Sequence, residues 1–179
     1  DGLRDKIGTV VNIINDIQQT QHDPQASMKL FDKLIMESHS ARQTIRNIAS
    51  KGESEELKIL NDYLDWNSYI ITLERSRILL STLETPQQRA DLASRTYLRI
   101  SENKQQYNND SAIEALSNIW RALKVYYISL VPTVEKSKSL GLIDRAKNYL
   151  DTALNIISSE DVTNPPSLKP WAEELYEQI

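Results

Sequence analysis

Apolar residues recur three and four positions apart over long stretches of this sequence, and this spacing constrains the fold more than any other feature. The clearest run consists of Ile113, Leu116, Trp120, Leu123, Tyr127, Leu130 and Val134. Such spacing places side chains along one side of an α-helix. Only 4 glycines and 6 prolines interrupt the 179 residues, which is too few for the many tight turns of a β-rich domain. The sequence therefore predicts an all-α protein.

Capping residues, proline and glycine divide this pattern into separate helices. Pro24 and Pro86 follow the N-cap residues Asp23 and Thr85, and Gly52 supplies a C-terminal glycine. The predicted helices cover residues 3–21, 24–50, 53–83, 86–107, 111–141 and 142–159, followed by a tail helix at 170–179.

Pro132 lies inside the fifth predicted helix. A proline removes one helical hydrogen bond and disfavours helical backbone in the residue before it, here Val131. The apolar spacing nevertheless continues through Val134. We therefore expect a kinked helix that ends near Gly141.

The predicted helices also differ in how wide their buried sides are. The second places Ile35 on its apolar side, and the fourth places Ala90, Ala93, Tyr97 and Ile100 inward. The third carries two apolar seams, of which one contains Ile59, Tyr63, Trp66, Ile70, Leu73 and Leu80 and the other contains Leu57, Leu60, Leu64, Ile71 and Ile78. Two seams on one helix predict a broad buried surface.

Every predicted connection before Ser158 is short, and short connections make successive helices antiparallel. We therefore expect an up-and-down antiparallel bundle of about six helices over residues 1–160. Residues 161–179 are expected to form a Pro-rich linker, which contains Pro165 and Pro166, and a short C-terminal helix.

The sequence offers little for catalysis. It contains no cysteine, which excludes disulfides, iron–sulfur clusters, Cys-ligated zinc and thiol nucleophiles. The histidines His22 and His39 lack the Glu-x-x-His spacing of di-iron bundles. The glycines are isolated, so no phosphate-binding loop is present, and no nucleophile motif is found. We expect no catalytic residue, metal or cofactor, and no enzymatic activity.

Charge and hydropathy limit the partners. The net charge of −4 weighs against nucleic acid, which requires a basic footprint. No apolar stretch of about 18 residues is present, so we expect no membrane span, although anchors flanking this stretch of chain remain compatible with it. The expected partner is another protein or a second copy of the chain.

Two arginines interrupt apolar seams, namely Arg77 between Leu73 and Leu80, and Arg42 between Ile35 and Ile45. A guanidinium in such a position either reaches water over apolar neighbours or binds an anion. The second reading suggests an extracytoplasmic sensor bundle of a membrane receptor that binds a small anionic ligand.

Two other segments suggest protein binding. Arg95 and Arg99 lie four residues apart and form a small basic stripe. The tail helix has an apolar side with Trp171, Leu175 and Ile179, and it either docks into a partner through Trp171, Leu175 and Tyr176 or packs on its own bundle. The sequence therefore predicts an interaction or scaffold domain of a larger protein or assembly, with the sensor bundle as the alternative.

Overall fold

The structure is a computed structural model, and it describes residues 2–20, 23–52, 54–107, 110–160, 162 and 168–179. The helices are α1 (Gly2–Gln19), α2 (Pro24–Ala49), α3 (Glu55–Thr82), α4 (Pro86–Asn103), a 3-10 helix (Lys104–Tyr107), α5 (Ser111–Ser129), α6 (Lys136–Ser159) and α7 (Leu168–Gln178). The described residues contain no β-strand. The prediction of an all-α bundle is therefore confirmed. The proposed linker prolines Pro165 and Pro166 lie outside the described residues.

The predicted helix starts at Pro24 and Pro86 have the expected caps. The Asp23 side chain accepts hydrogen bonds from the backbone N–H groups of Gln25 and Ala26. Thr85 and Gln88 form a capping box, in which each side chain bonds to the backbone of the other. These bonds satisfy donors that a helix start otherwise leaves unpaired, so both boundaries follow from local sequence alone.

The chain divides into two compact units, an N-terminal unit of Asp1–Thr82 and a C-terminal unit of Leu83–Ile179. The division predicted from the sequence was a bundle of residues 1–160 with a tail after it. The two divisions differ because α3 and α4 are separated by only a few residues, and a short connection gives no sign of a unit boundary.

In the N-terminal unit, α1, α2 and α3 run antiparallel to their neighbours. Lys6 Nζ donates to Thr44 Oγ1 at 2.7 Å, which joins the start of α1 to the end of α2. Arg42 Nη2 of α2 lies 3.0 Å from Asp65 Oδ1 of α3. One hydrophobic core contains Val10, Ile13, Ile17, Phe31, Leu34, Ala41, Ile45, Leu64 and Ile71. Up-and-down topology is thus present in this unit.

The side of α2 that faces this core is narrower than the sequence pattern predicted. Leu34, Ser38 and Ala41 form its buried line, and Ile35 is exposed. The small Ser38 is buried here because it lies in register with the apolar residues before and after it. The placement of Ile35 on the apolar side was therefore wrong.

The two seams of α3 have different surroundings. Leu64 and Ile71 of one seam belong to the core of the N-terminal unit. In the other seam, Ile59 is 61% exposed and Tyr63 is 45% exposed. The expectation that both seams are buried along their whole length was therefore wrong for the first two turns.

In the C-terminal unit, α5 packs between α4 and α6, and α7 packs on α6. Both neighbours of α5 run antiparallel to it, since Lys104 pairs with Glu114 at one end and Ser139 Oγ donates to Ser129 O at the other. Most of α5 is buried, and Trp120 at its centre has 0% exposure. This helix is the core element of the unit.

The boundary between α5 and α6 lies at Pro132 and not at Gly141. The backbone forms turns at Leu130–Val134, where Val134 N donates to Val131 O at 3.0 Å. Glu135 then has extended backbone and α6 begins at Lys136. The predicted kinked helix was therefore wrong, because the missing N–H and the bulk of the proline ring outweigh continuous apolar spacing.

The new boundary can be tested at Gly141, which now lies inside α6. A Cβ added there meets no atom within 4 Å. Glycine inside a helix costs about 1 kcal/mol relative to alanine. Gly141→Ala should therefore raise the free energy of unfolding by about 0.5–1 kcal/mol in urea titrations followed by far-UV circular dichroism.

Gly52 provides the matched control, because its φ of +150° disfavours any side chain and Gly52→Ala should lower stability. If a helix ended at Gly141 in a left-handed cap, Gly141→Ala would also lower stability, and the boundary at Pro132 would be contradicted.

Candidate functional site

One narrow polar stripe interrupts the buried surface of α5. It consists of Glu114, Ser117, Arg121 and Lys124, which recur at three- and four-residue steps. Arg121 is exposed and the other three side chains are half-buried. Because α5 packs against both α4 and α6, this stripe lies between these two neighbouring helices.

Tyrosine rings from both neighbouring helices contact the cations of the stripe. The Arg121 guanidinium carbon lies 4.5 Å from the ring centre of Tyr149 on α6 and 5.8 Å from that of Tyr97 on α4. Lys124 Nζ lies 5.7 Å from the same Tyr97 ring. Cation–π contacts of this kind hold a cation in place and leave its positive charge uncompensated.

Neither Arg121 nor Lys124 forms an ion pair with a carboxylate of the described residues. Arg145 is exposed four residues before Tyr149, so it lies on the same side of α6 and adds a third cation. We call Tyr97, Arg121, Lys124, Arg145 and Tyr149 the basic face.

Arg95 and Arg99, the stripe predicted from the sequence, are both exposed on α4. They lie on a different side of that helix from Tyr97, because two residues along a helix correspond to about 200°. Asp91 and Glu102 lie four residues before Arg95 and three after Arg99, so the stripe carries both signs of charge. Its role in binding stays a prediction.

The seam arginines of the N-terminal unit both have carboxylate partners. Arg42 pairs with Asp65 at 3.0 Å, and Arg77 Nη1 lies 3.6 Å from Glu74 Oε2. Burial raises the pKa of Glu74, and the neighbouring Arg77 offsets part of this effect. An anionic ligand at either arginine would have to compete with these carboxylates.

The tail residues lie mainly inside the C-terminal unit. Trp171 and Leu175 are buried, and Tyr176 is partly exposed. The Trp171 ring meets Trp120 edge-on with the ring centres 5.7 Å apart. In this conformation the tail helix packs on its own bundle, which was one of the two predicted alternatives.

Within the described part of the chain, no helix combines the length and hydrophobicity that a membrane span requires. No three or more His, Asp or Glu side chains of these residues are grouped so that they could hold a metal ion. His39 is exposed, whereas His22 lies outside the described residues.

The basic face was not found from the sequence. Tyr97 was assigned to the interior, but it is half-buried and covers two cations. The available signal was the pair Arg121 and Lys124, three residues apart in the part of the helix where Ile119 to Tyr127 contains no other charged residue. Its aromatic partners come from other helices, and no local spacing reveals them.

No known protein family matches this sequence, and no characterised protein or solved structure is significantly similar to it.

Packing of the tail can be tested with Trp171→Ala. The change removes a large buried side chain together with its contact to Trp120, so it should lower the free energy of unfolding by about 3–5 kcal/mol in urea titrations. Tyr176→Ala, on the exposed side of the same helix, should change it by less than about 1 kcal/mol. Equal, small effects of both changes would mean that α7 does not pack on its own unit.

Proposed function

We propose that this chain is a non-enzymatic interaction domain of a larger protein or assembly, and that its basic face binds an acidic segment of a partner protein. One observation carries the proposal. Arg121 and Lys124 lie on the less buried side of α5 and contact tyrosine rings, and neither forms an ion pair with a described carboxylate.

The charge of the basic face supports an acidic partner. The whole chain has a net charge of −4, so a cluster of three cations differs in sign from its average surface. An exposed guanidinium can bind a carboxylate through two parallel hydrogen bonds, which a partner rich in Asp or Glu would supply.

The aromatic contacts support binding as well. Arginine and tyrosine are enriched at protein–protein interfaces, where they contribute much of the binding energy. Contacts with Tyr97 and Tyr149 restrict the Arg121 side chain before a partner arrives. Less conformational entropy is then lost on binding than for a flexible surface cation.

The proposal can be tested with a fluorescently labelled peptide of alternating Glu and Asp residues in an anisotropy titration. Arg121→Glu combined with Lys124→Glu should weaken binding about tenfold or more, because two attractive contacts become repulsive. Binding to the unmodified protein should also weaken as salt is added.

Arg95→Glu combined with Arg99→Glu is the matched control, because it changes the net charge equally on the other side of α4. It should weaken binding by less than about threefold, through long-range electrostatics alone. Equal losses in both variants, or tighter binding of a single-stranded RNA of the same length than of the peptide, would contradict the proposal.

A further inference from the structure

An exposed apolar surface on α3 has the opposite charge to the basic face. Ile59 and Tyr63 lie four residues apart on one side of the helix and are among its most exposed apolar side chains. Glu55 lies four residues before Ile59, and Glu56 and Asp62 lie three residues to either side of it. We call Glu55, Glu56, Ile59, Asp62 and Tyr63 the acidic patch.

The charges of the acidic patch are available to a partner. Glu55, Glu56 and Asp62 are exposed, and none of them pairs with a cation of the described residues. Lys58 is the single cation within residues 55–63, three residues after Glu55 and four before Asp62, so the acidic patch keeps a net negative charge. Exposed apolar side chains bordered by charged residues are typical of a docking surface.

We infer that the acidic patch of one copy of this chain docks on the basic face of a second copy. The inference rests on the proposed function, since it names the acidic segment that the basic face binds. Charge complementarity supports it, because three carboxylates surround Ile59 and Tyr63 while Arg121, Lys124 and Arg145 lie beside two tyrosines.

The contact joins two different surfaces, so it is head-to-tail. Each copy offers both surfaces, and a copy bound through its acidic patch still presents its basic face to a third. Two short surfaces of this kind make a weak and transient interface, so association should appear only at high protein concentration and should weaken with added salt.

The experiment uses two charge-neutralised variants of the full chain in sedimentation velocity. Variant A carries Arg121→Gln and Lys124→Gln, and variant B carries Glu56→Gln and Asp62→Asn. The unmodified chain should show an average mass that rises with concentration above that of the monomer. Each variant alone should stay monomeric at the same concentrations, with unchanged far-UV circular dichroism.

A mixture of the two variants separates head-to-tail docking from other kinds of association. Variant A keeps the acidic patch and variant B keeps the basic face, so the mixture should form a one-to-one complex that grows no further. Variant A with Ile59→Ser added should no longer form this complex, because the apolar anchor of its patch is lost.

A monomeric unmodified chain, or variants that associate like it, would overturn self-association. The acidic-peptide titration tells this failure apart from failure of the proposed function. If the peptide binds the basic face and the chain stays monomeric, only self-association is wrong. If neither the peptide nor variant A binds the basic face of variant B, both proposals are wrong.

Discussion

The C-terminal unit depends on the burial of α5. This helix packs between α4 and α6, and Trp120 at its centre has no exposed surface. The tail helix adds to the same core, since Trp171 meets Trp120 edge-on. Because buried apolar residues occupy most of the circumference of α5, Arg121 and Lys124 lie on the side that remains less buried. The location of the basic face is thus a consequence of how the core is packed.

Local signals in the sequence were sufficient for most of the fold. Helix starts at Pro24 and Pro86 could be predicted because a capping side chain and a proline act within one turn. The end of α5 could not be read from apolar spacing, because spacing continued past Pro132 and suggested a kink. The helix ends before Pro132 because of the backbone constraint of proline. Gly141, which the sequence suggested as the end of this helix, lies inside α6.

The candidate site was much less predictable than the fold. The apolar seams around Arg42 and Arg77 mark both as unusual, but their carboxylate partners differ in origin, since Glu74 is a neighbour on the same helix and Asp65 lies on another. The contacts of Arg121 could not be predicted, because they come from rings on two other helices. The exposure of Ile59 could not be predicted either, because apolar spacing identifies one side of a helix but does not show whether another element packs against it.

The central claim is that the polar stripe of α5 serves binding and not stability, and Arg121→Met combined with Lys124→Met tests it most directly. Methionine keeps an unbranched side chain against Tyr97 and Tyr149 but removes the charge. The account predicts loss of acidic-peptide binding, while the free energy of unfolding falls by no more than about 3 kcal/mol, the sum of the three cation–π contacts that are removed. Unchanged binding together with a loss of more than about 4 kcal/mol would contradict it, and would assign these residues to the fold.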